Sequence, residues 1–191
     1  MQFLWSLAVA TLVSADAFSI SVFAPNTDFD GAVLHGINNC LATKLEGPSC
    51  YCPLTPESSC PKVAGTLVTQ STKAMAMAVQ VPGGQSIYVH GDNGQVKYST
   101  PHSNYIPPGS IGSGWYHKIV VSECLAPQSR EVIDFDDGNG HSGLVLCPST
   151  WSADSLTLYA KSAKFSESGC HEIGGLSLIA SEYHIGCWEY L

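Results

Sequence analysis

Eight cysteines, all downstream of an apolar leader, constrain this chain more than any other feature of its sequence. The leader runs from Phe3 to Val13, breaks at Ser14 and ends in Ala15-Asp16-Ala17, with small residues at the two positions a signal peptidase reads. Residues 1–17 are expected to be a signal peptide, and residues 18–191 a single secreted β domain. Met1 and Gln2 supply no Lys or Arg, so the amino terminus is the leader's positive charge. The apolar run falls short of the about 20 residues that span a bilayer. The C-terminal Glu189-Tyr190-Leu191 is not the hydrophobic tail of a lipid-anchor signal. Neither feature predicts a membrane partner.

Cys40, Cys50, Cys52, Cys60, Cys124, Cys147, Cys170 and Cys187 then meet an oxidising compartment, where four disulfides are the default. Paired Cys-x-x-Cys spacings, which zinc would want, do not occur. One residue separates Cys50 from Cys52, so a mutual bridge would be strained and each is expected to pair elsewhere. A Cys147–Cys170 bridge, enclosing the segment from Trp151 to Tyr159, is the favoured pairing. The other pairings stay open, since eight cysteines allow 105 connectivities.

Without its leader the chain keeps 174 residues and a net charge of −7, because of the 16 acidic residues only Asp16 departs. That length can bury a core of its own, so the bridges reinforce a fold rather than replace one. The acidic balance excludes nucleic acid and anionic membrane as natural partners. With 13% charged and 45% hydrophobic residues, the composition also excludes disorder.

Period-two alternation dominates. Phe18, Ile20 and Val22 share one face of a strand, and Leu67, Val79, Val81, Ile87 and Val89 lie in similar runs. Ser86 to His90 and Gln95 to Ser99 flank Gly91-Asp92-Asn93-Gly94, a hairpin signal. Asp137-Gly138-Asn139-Gly140 makes the same proposal between Glu131–Phe135 and Gly143–Cys147. Further strands are predicted at Trp115 to Val121, Leu156 to Ala160 and Leu176 to Ser181. Lys73 to Val81 could support a helix, but Val79-Gln80-Val81 before Pro82-Gly83-Gly84 favours a strand. Glu46 to Lys62 and Pro101 to Gly114 read as loops, rich in proline and glycine. The expected fold is all-β: a single-domain antiparallel sandwich or barrel of roughly ten strands, a β-trefoil-like arrangement being the alternative, stabilised by disulfides.

No motif announces catalysis. Seven histidines, His35, His90, His102, His117, His141, His171 and His184, fall at no zincin spacing. Gly140-His141-Ser142-Gly143-Leu144 lacks the last glycine of a nucleophile elbow and reads as a turn. Asp134, Asp136, Asp137 and Asn139 offer calcium hard oxygens, but Gly138 takes the third ligand position and no glutamate closes the loop; a solvated turn is the other reading. No metal or cofactor is expected. Glycoside hydrolysis needs two carboxylates about 5 Å or about 6.5–9.5 Å apart, which sequence cannot pair. Exposed aromatics on a sheet would instead suit sugars by stacking. Tyr88, Tyr98, Trp115 and Tyr116 are the binding candidates, with Trp151 and Tyr159 also available; the competing reading puts Trp115 and Trp151 in the core.

Two stretches resemble a known family. Gly94-Gln95-Val96-Lys97-Tyr98-Ser99-Thr100, followed after a Pro/Gly-rich loop by Gly114-Trp115, is similar to a segment of the fungal PhiA-type cell-wall proteins, also described as IgE-binding proteins. Leu146-Cys147-Pro148, Trp151, Leu156 to Ala160 and Gly169-Cys170 resemble that family's C-terminal portion. Together they cover about half of the mature chain. The resemblance implies a secreted fungal wall protein with no enzymatic site, and Cys40 to Cys60, Cys124 and Cys187 depart from its pattern. The expectation is therefore a non-enzymatic extracellular protein of the fungal wall or surface, contacting cell-wall polysaccharide. A secreted effector or antigen with a host-protein partner is the alternative, and a small hydrolase the third reading.

Overall fold

The computed structural model describes residues 16–103, 105–122, 128–150 and 152–191. The leader as far as Ala15, Cys124 and Trp151 lie outside them. The chain opens with β1 (Ala17–Phe23), β2 (His35–Ile37), β3 (Cys40–Ala42) and β4 (Cys50–Tyr51), then a 3-10 turn at Glu57–Ser59. It continues with β5 (Leu67–Gln70), β6 (Met75–Met77), β7 (Gln85–Val89), β8 (Val96–Tyr98), β9 (Trp115–Ser122) and β10 (Gln128–Phe135). The last strands are β11 (Leu144–Pro148), β12 (Leu156–Ala160), β13 (His171–Ile173), β14 (Gly175–Ala180) and β15 (Glu189–Tyr190).

Thirteen of these form one sheet in the order β13-β11-β12-β3-β8-β7-β6-β5-β1-β14-β10-β9, with β2 beside β3. Its strand pairs are antiparallel, and the sheet curls into a half-barrel, so the all-β expectation holds in its barrel-like form. The core fills the concave side. Ile20 and Val22 of β1, Leu176 of β14, Ile133 and Phe135 of β10 and Trp115 of β9 all lie in it, brought to one face by the cross-strand register.

The first predicted hairpin forms: β7 and β8 pair, and the His90 amide donates to the Gln95 carbonyl (2.8 Å) across the turn. The second is corrected. The Asp137 to Gly140 turn closes, with Asp136 bridging Ser142, but the strands then part: β10 pairs β9 and β14, β11 pairs β12 and β13. Gly143, at φ +102°, turns the chain out of the ladder. The predicted strand around Val79–Val81 is also displaced, to Met75–Met77, leaving Val79 in a bridge to Cys187.

The C-terminal residues latch the barrel. Gln85 holds Tyr190 by both backbone groups, its amide donating to the Tyr190 carbonyl (2.9 Å) and its oxygen accepting from the Tyr190 amide (2.8 Å). The Tyr190 hydroxyl accepts from the Leu67 amide (2.9 Å), and the Tyr98 hydroxyl donates to the Leu191 carbonyl (2.9 Å). Gly186 admits this packing, since a Cβ there would collide with the Tyr190 hydroxyl and the Leu67 side chain.

Among the described residues the cysteines form three bridges: Cys50–Cys187, Cys52–Cys60 and Cys147–Cys170. The favoured pairing is present, and Cys50 and Cys52 each pair elsewhere as expected. Cys40 corrects the expectation of four bridges. It is a buried free thiol on β3, donating to the Ile37 carbonyl (3.0 Å). Burial pushes that thiol up to about 12, against a weaker downward pull from Lys97. Native protein treated with iodoacetamide at pH 8 should therefore keep Cys40 unmodified, whereas denatured, unreduced protein should alkylate it. Peptide mass mapping that finds Cys40 labelled without denaturant would contradict this placement.

Candidate functional site

The concave face of the sheet runs beyond its core. On the β1, β14, β10 and β9 strands the register carries the face outward from Ile20, Leu176 and Ile133 to Phe18, Leu178, Glu131 and His117, where no further layer among the described residues covers it. The result is an open cleft of about 540 Å³, lined by Phe18, Gln70, Ser71, Thr72, His117, Glu131, Ile133 and Leu178 among others. Its floor is apolar, and Phe18 and Leu178 pack against the core from it. Its rim is polar. His117 Nδ1 lies 2.8 Å from Glu131 Oε1, with both side chains more than half exposed, so the pair orients the imidazole and adds little stability.

Gln70 gives the cleft an unsatisfied group. Its Nε2 is buried and has no hydrogen-bond partner among the described residues, although Gln70 lines the cleft. A buried amide nitrogen normally finds an acceptor. An oxygen of a bound molecule would supply one. Ring, amide, hydroxyls, imidazole and carboxylate around an apolar floor can bind a molecule with both an apolar face and hydroxyl or carbonyl oxygens.

The sequence candidates fall elsewhere. Trp115 is 1% exposed and packs edge-on against Phe135, with ring centroids 5.3 Å apart. Tyr98 is fully buried in the latch, and Tyr88 is 5% exposed. Trp115 and Tyr98 are corrected from binding surface to core, because both point into the concave side of a sheet that curls over them. Tyr88 alternates with the core residues Ile87 and Val89 and so lies on the opposite face, where it is nonetheless buried, its ring 6.5 Å from that of His90. Tyr116 stays accessible, at 36%, on the convex face. The structure brings it to Lys118 and Asp134 rather than to a second aromatic.

The acidic turn is divided in the same way. Asp134 is buried and accepts from Lys118 Nζ (2.9 Å), a bond that raises the Lys118 ammonium above its ordinary range. Asp136 caps the Gly138 amide (2.7 Å), and Asp137 pairs with His141 Nδ1 (2.8 Å). Among the described residues no three His, Cys, Asp or Glu side chains converge as a metal group. No sequence motif singles out Phe18, Gln70 or Glu131 as site residues. The alternation of Trp115, His117, Ile119 and Val121 was the available signal, since it sets a histidine and two apolar residues on the face of a core tryptophan.

A protein of Arthroderma benhamiae described as an uncharacterized secreted protein is 32% identical over 102 residues, 53% of this chain and 46% of that protein. The chain thus spans about half the length of the curated relative it matches. No family model matches the chain, and no solved structure matches it significantly. The protein is secreted. The leader, the bridges and the fungal relative agree on that address, and among the described residues no helix is long and apolar enough to cross a membrane. The relative's description says nothing of a PhiA-type protein.

Proposed function

We propose that the protein acts outside the fungal cell as a non-enzymatic component of the wall or surface, holding cell-wall polysaccharide in the cleft beside His117. The observation that carries the reading is the cleft's composition: an apolar floor with the Phe18 ring, and a rim of Gln70, Ser71, Thr72, His117 and Glu131. A sugar has the matching chemistry, an apolar C–H face ringed by hydroxyls. The orphaned Gln70 amide then acquires an acceptor. The resemblance of Gly94 to Thr100 and of Leu146 to Cys170 to PhiA-type wall proteins supports the same address.

The non-enzymatic part rests on the lining. Glu131 is the carboxylate among the cleft residues, and glycoside hydrolysis calls for two. Binding of the purified protein to insoluble β-glucan, chitin and mannan is the test. Wild type should sediment with one of them, and His117→Ala, at an exposed position, should weaken that binding about tenfold, equivalent to ~1.4 kcal/mol. Failure of wild type to bind all three would sink the reading, as would release of soluble sugar during the assay.

A further inference from the structure

Strand β9 ends the sheet, and among the described residues no strand pairs with its outer edge. Edges of this kind are usually guarded by proline, a bulge or a projecting lysine. β9 has none of these guards in working order. Its eight residues, Trp-Tyr-His-Lys-Ile-Val-Val-Ser, contain no proline, and its register with β10 is unbroken from Ser122↔Gln128 to Trp115↔Phe135. Its one lysine, Lys118, is drawn back onto Asp134 of its own sheet. Ile119 and Val121 meanwhile stand 71% and 65% exposed on the concave face, apolar side chains that a free edge would be expected to avoid.

The backbone phase determines what that edge offers. The Asp136 amide donates to the Gly114 carbonyl (2.9 Å), so Tyr116, Lys118 and Val120, at even steps from Gly114, turn their backbone groups toward β10. The odd residues turn theirs outward. Trp115 agrees, its amide meeting the Lys73 carbonyl at 3.3 Å outside the β9–β10 ladder. His117, Ile119 and Val121 are left presenting their amides and carbonyls to the outside.

We propose that two copies of this chain pair β9 against β9, antiparallel, about a two-fold axis at Ile119. That register sets His117 opposite Val121 of the second copy, Ile119 opposite itself and Lys118 opposite Val120. It joins all three outward residues of each strand in about six backbone hydrogen bonds. Charge selects the same arrangement. Without its leader the chain carries a net charge of −7, yet β9 has no carboxylate, and no like charges face one another in this register. A register centred on Lys118 would oppose two ammonium groups. Because the axis stands perpendicular to the sheet, the two clefts open on the same side of one continuous sheet, which makes the assembly bivalent toward a repeating ligand.

Sedimentation equilibrium of the secreted protein tests this with Ile119→Lys, which brings two like charges together at the axis. Ile119→Pro is the second variant, removing an amide that the monomer does not use. Wild type should have twice the monomer mass. Both variants should dissociate at least about tenfold more readily while keeping the β-sheet circular dichroism spectrum. A wild type that stays monomeric at hundreds of micromolar would overturn the proposal, leaving the edge to a different protein. So would a folded Ile119→Lys variant that dimerises as wild type does; if Ile119→Pro does not fold, Ile119→Lys alone decides. Polysaccharide sedimentation tests the cleft separately: its failure leaves the dimer standing, and a monomeric wild type that still binds polysaccharide leaves the cleft standing.

Discussion

Cys50→Ala/Cys187→Ala is expected to lose about 5 kcal/mol of stability, more than removal of either other bridge, because the bond closes a span of 137 residues. Loop-closure entropy grows with the logarithm of the span. The eight-residue separation of Cys52 from Cys60 is worth about half as much on the same reasoning. Position adds to length. Cys187 is fully buried and leads into β15, which pairs with β4 beside Cys50, so the bridge ties down the segment that carries Tyr190 into the core. Removing both sulfurs avoids leaving a thiol to mispair. Urea unfolding of this variant, compared with Cys52→Ala/Cys60→Ala, is the measurement. A midpoint shift no larger than that of the short-span variant would mean that the C-terminal latch does not hold the barrel closed.

Strands were readable in the sequence where one face packs on the core and the other carries polar residues, because that condition writes an apolar residue at every second position. Phe18, Ile20 and Val22 show it, and so do Leu156 to Ala160. It fails where a strand is very short. His35–Ile37, Cys50–Tyr51 and Glu189–Tyr190 have two or three residues each, too few for a period, and they are strands because their partners are already in place. The turn at Asp137 to Gly140 was legible from its glycines. The separation of its two strands was not, because pairing choice depends on the curl of the whole sheet. The cleft shows the same limit. His117 and Glu131 are 14 positions apart and meet diagonally across β9 and β10, two residues out of register, as Ile133↔His117 and Glu131↔Ile119 show. Aromatic counting misled for a related reason: in a curled sheet the largest rings are what fills the concave side, so Trp115 and Tyr98 report volume rather than recognition.

That last distinction has a measurable consequence. Trp115→Ala is expected to destabilise the fold by about 3–5 kcal/mol, the usual range for emptying a buried aromatic site. Trp115 is among the largest fully buried side chains, and its loss would also strip Phe135 of its edge-on partner. For a domain of this size the melting temperature should fall by on the order of 10 °C. Trp115→Phe should cost less. It leaves part of the ring volume in place and removes an indole Nε1 that is buried with no hydrogen-bond partner among the described residues. Thermal melts of the two variants, read together with polysaccharide binding below their transitions, separate packing from recognition. A Trp115→Ala protein that melts with wild type yet loses sugar binding would place the ring at the surface and return it to the binding site. The packing predicts the reverse: a large loss of stability, with binding intact wherever the protein remains folded, because the proposed cleft is lined by His117, Gln70 and Phe18 and not by Trp115.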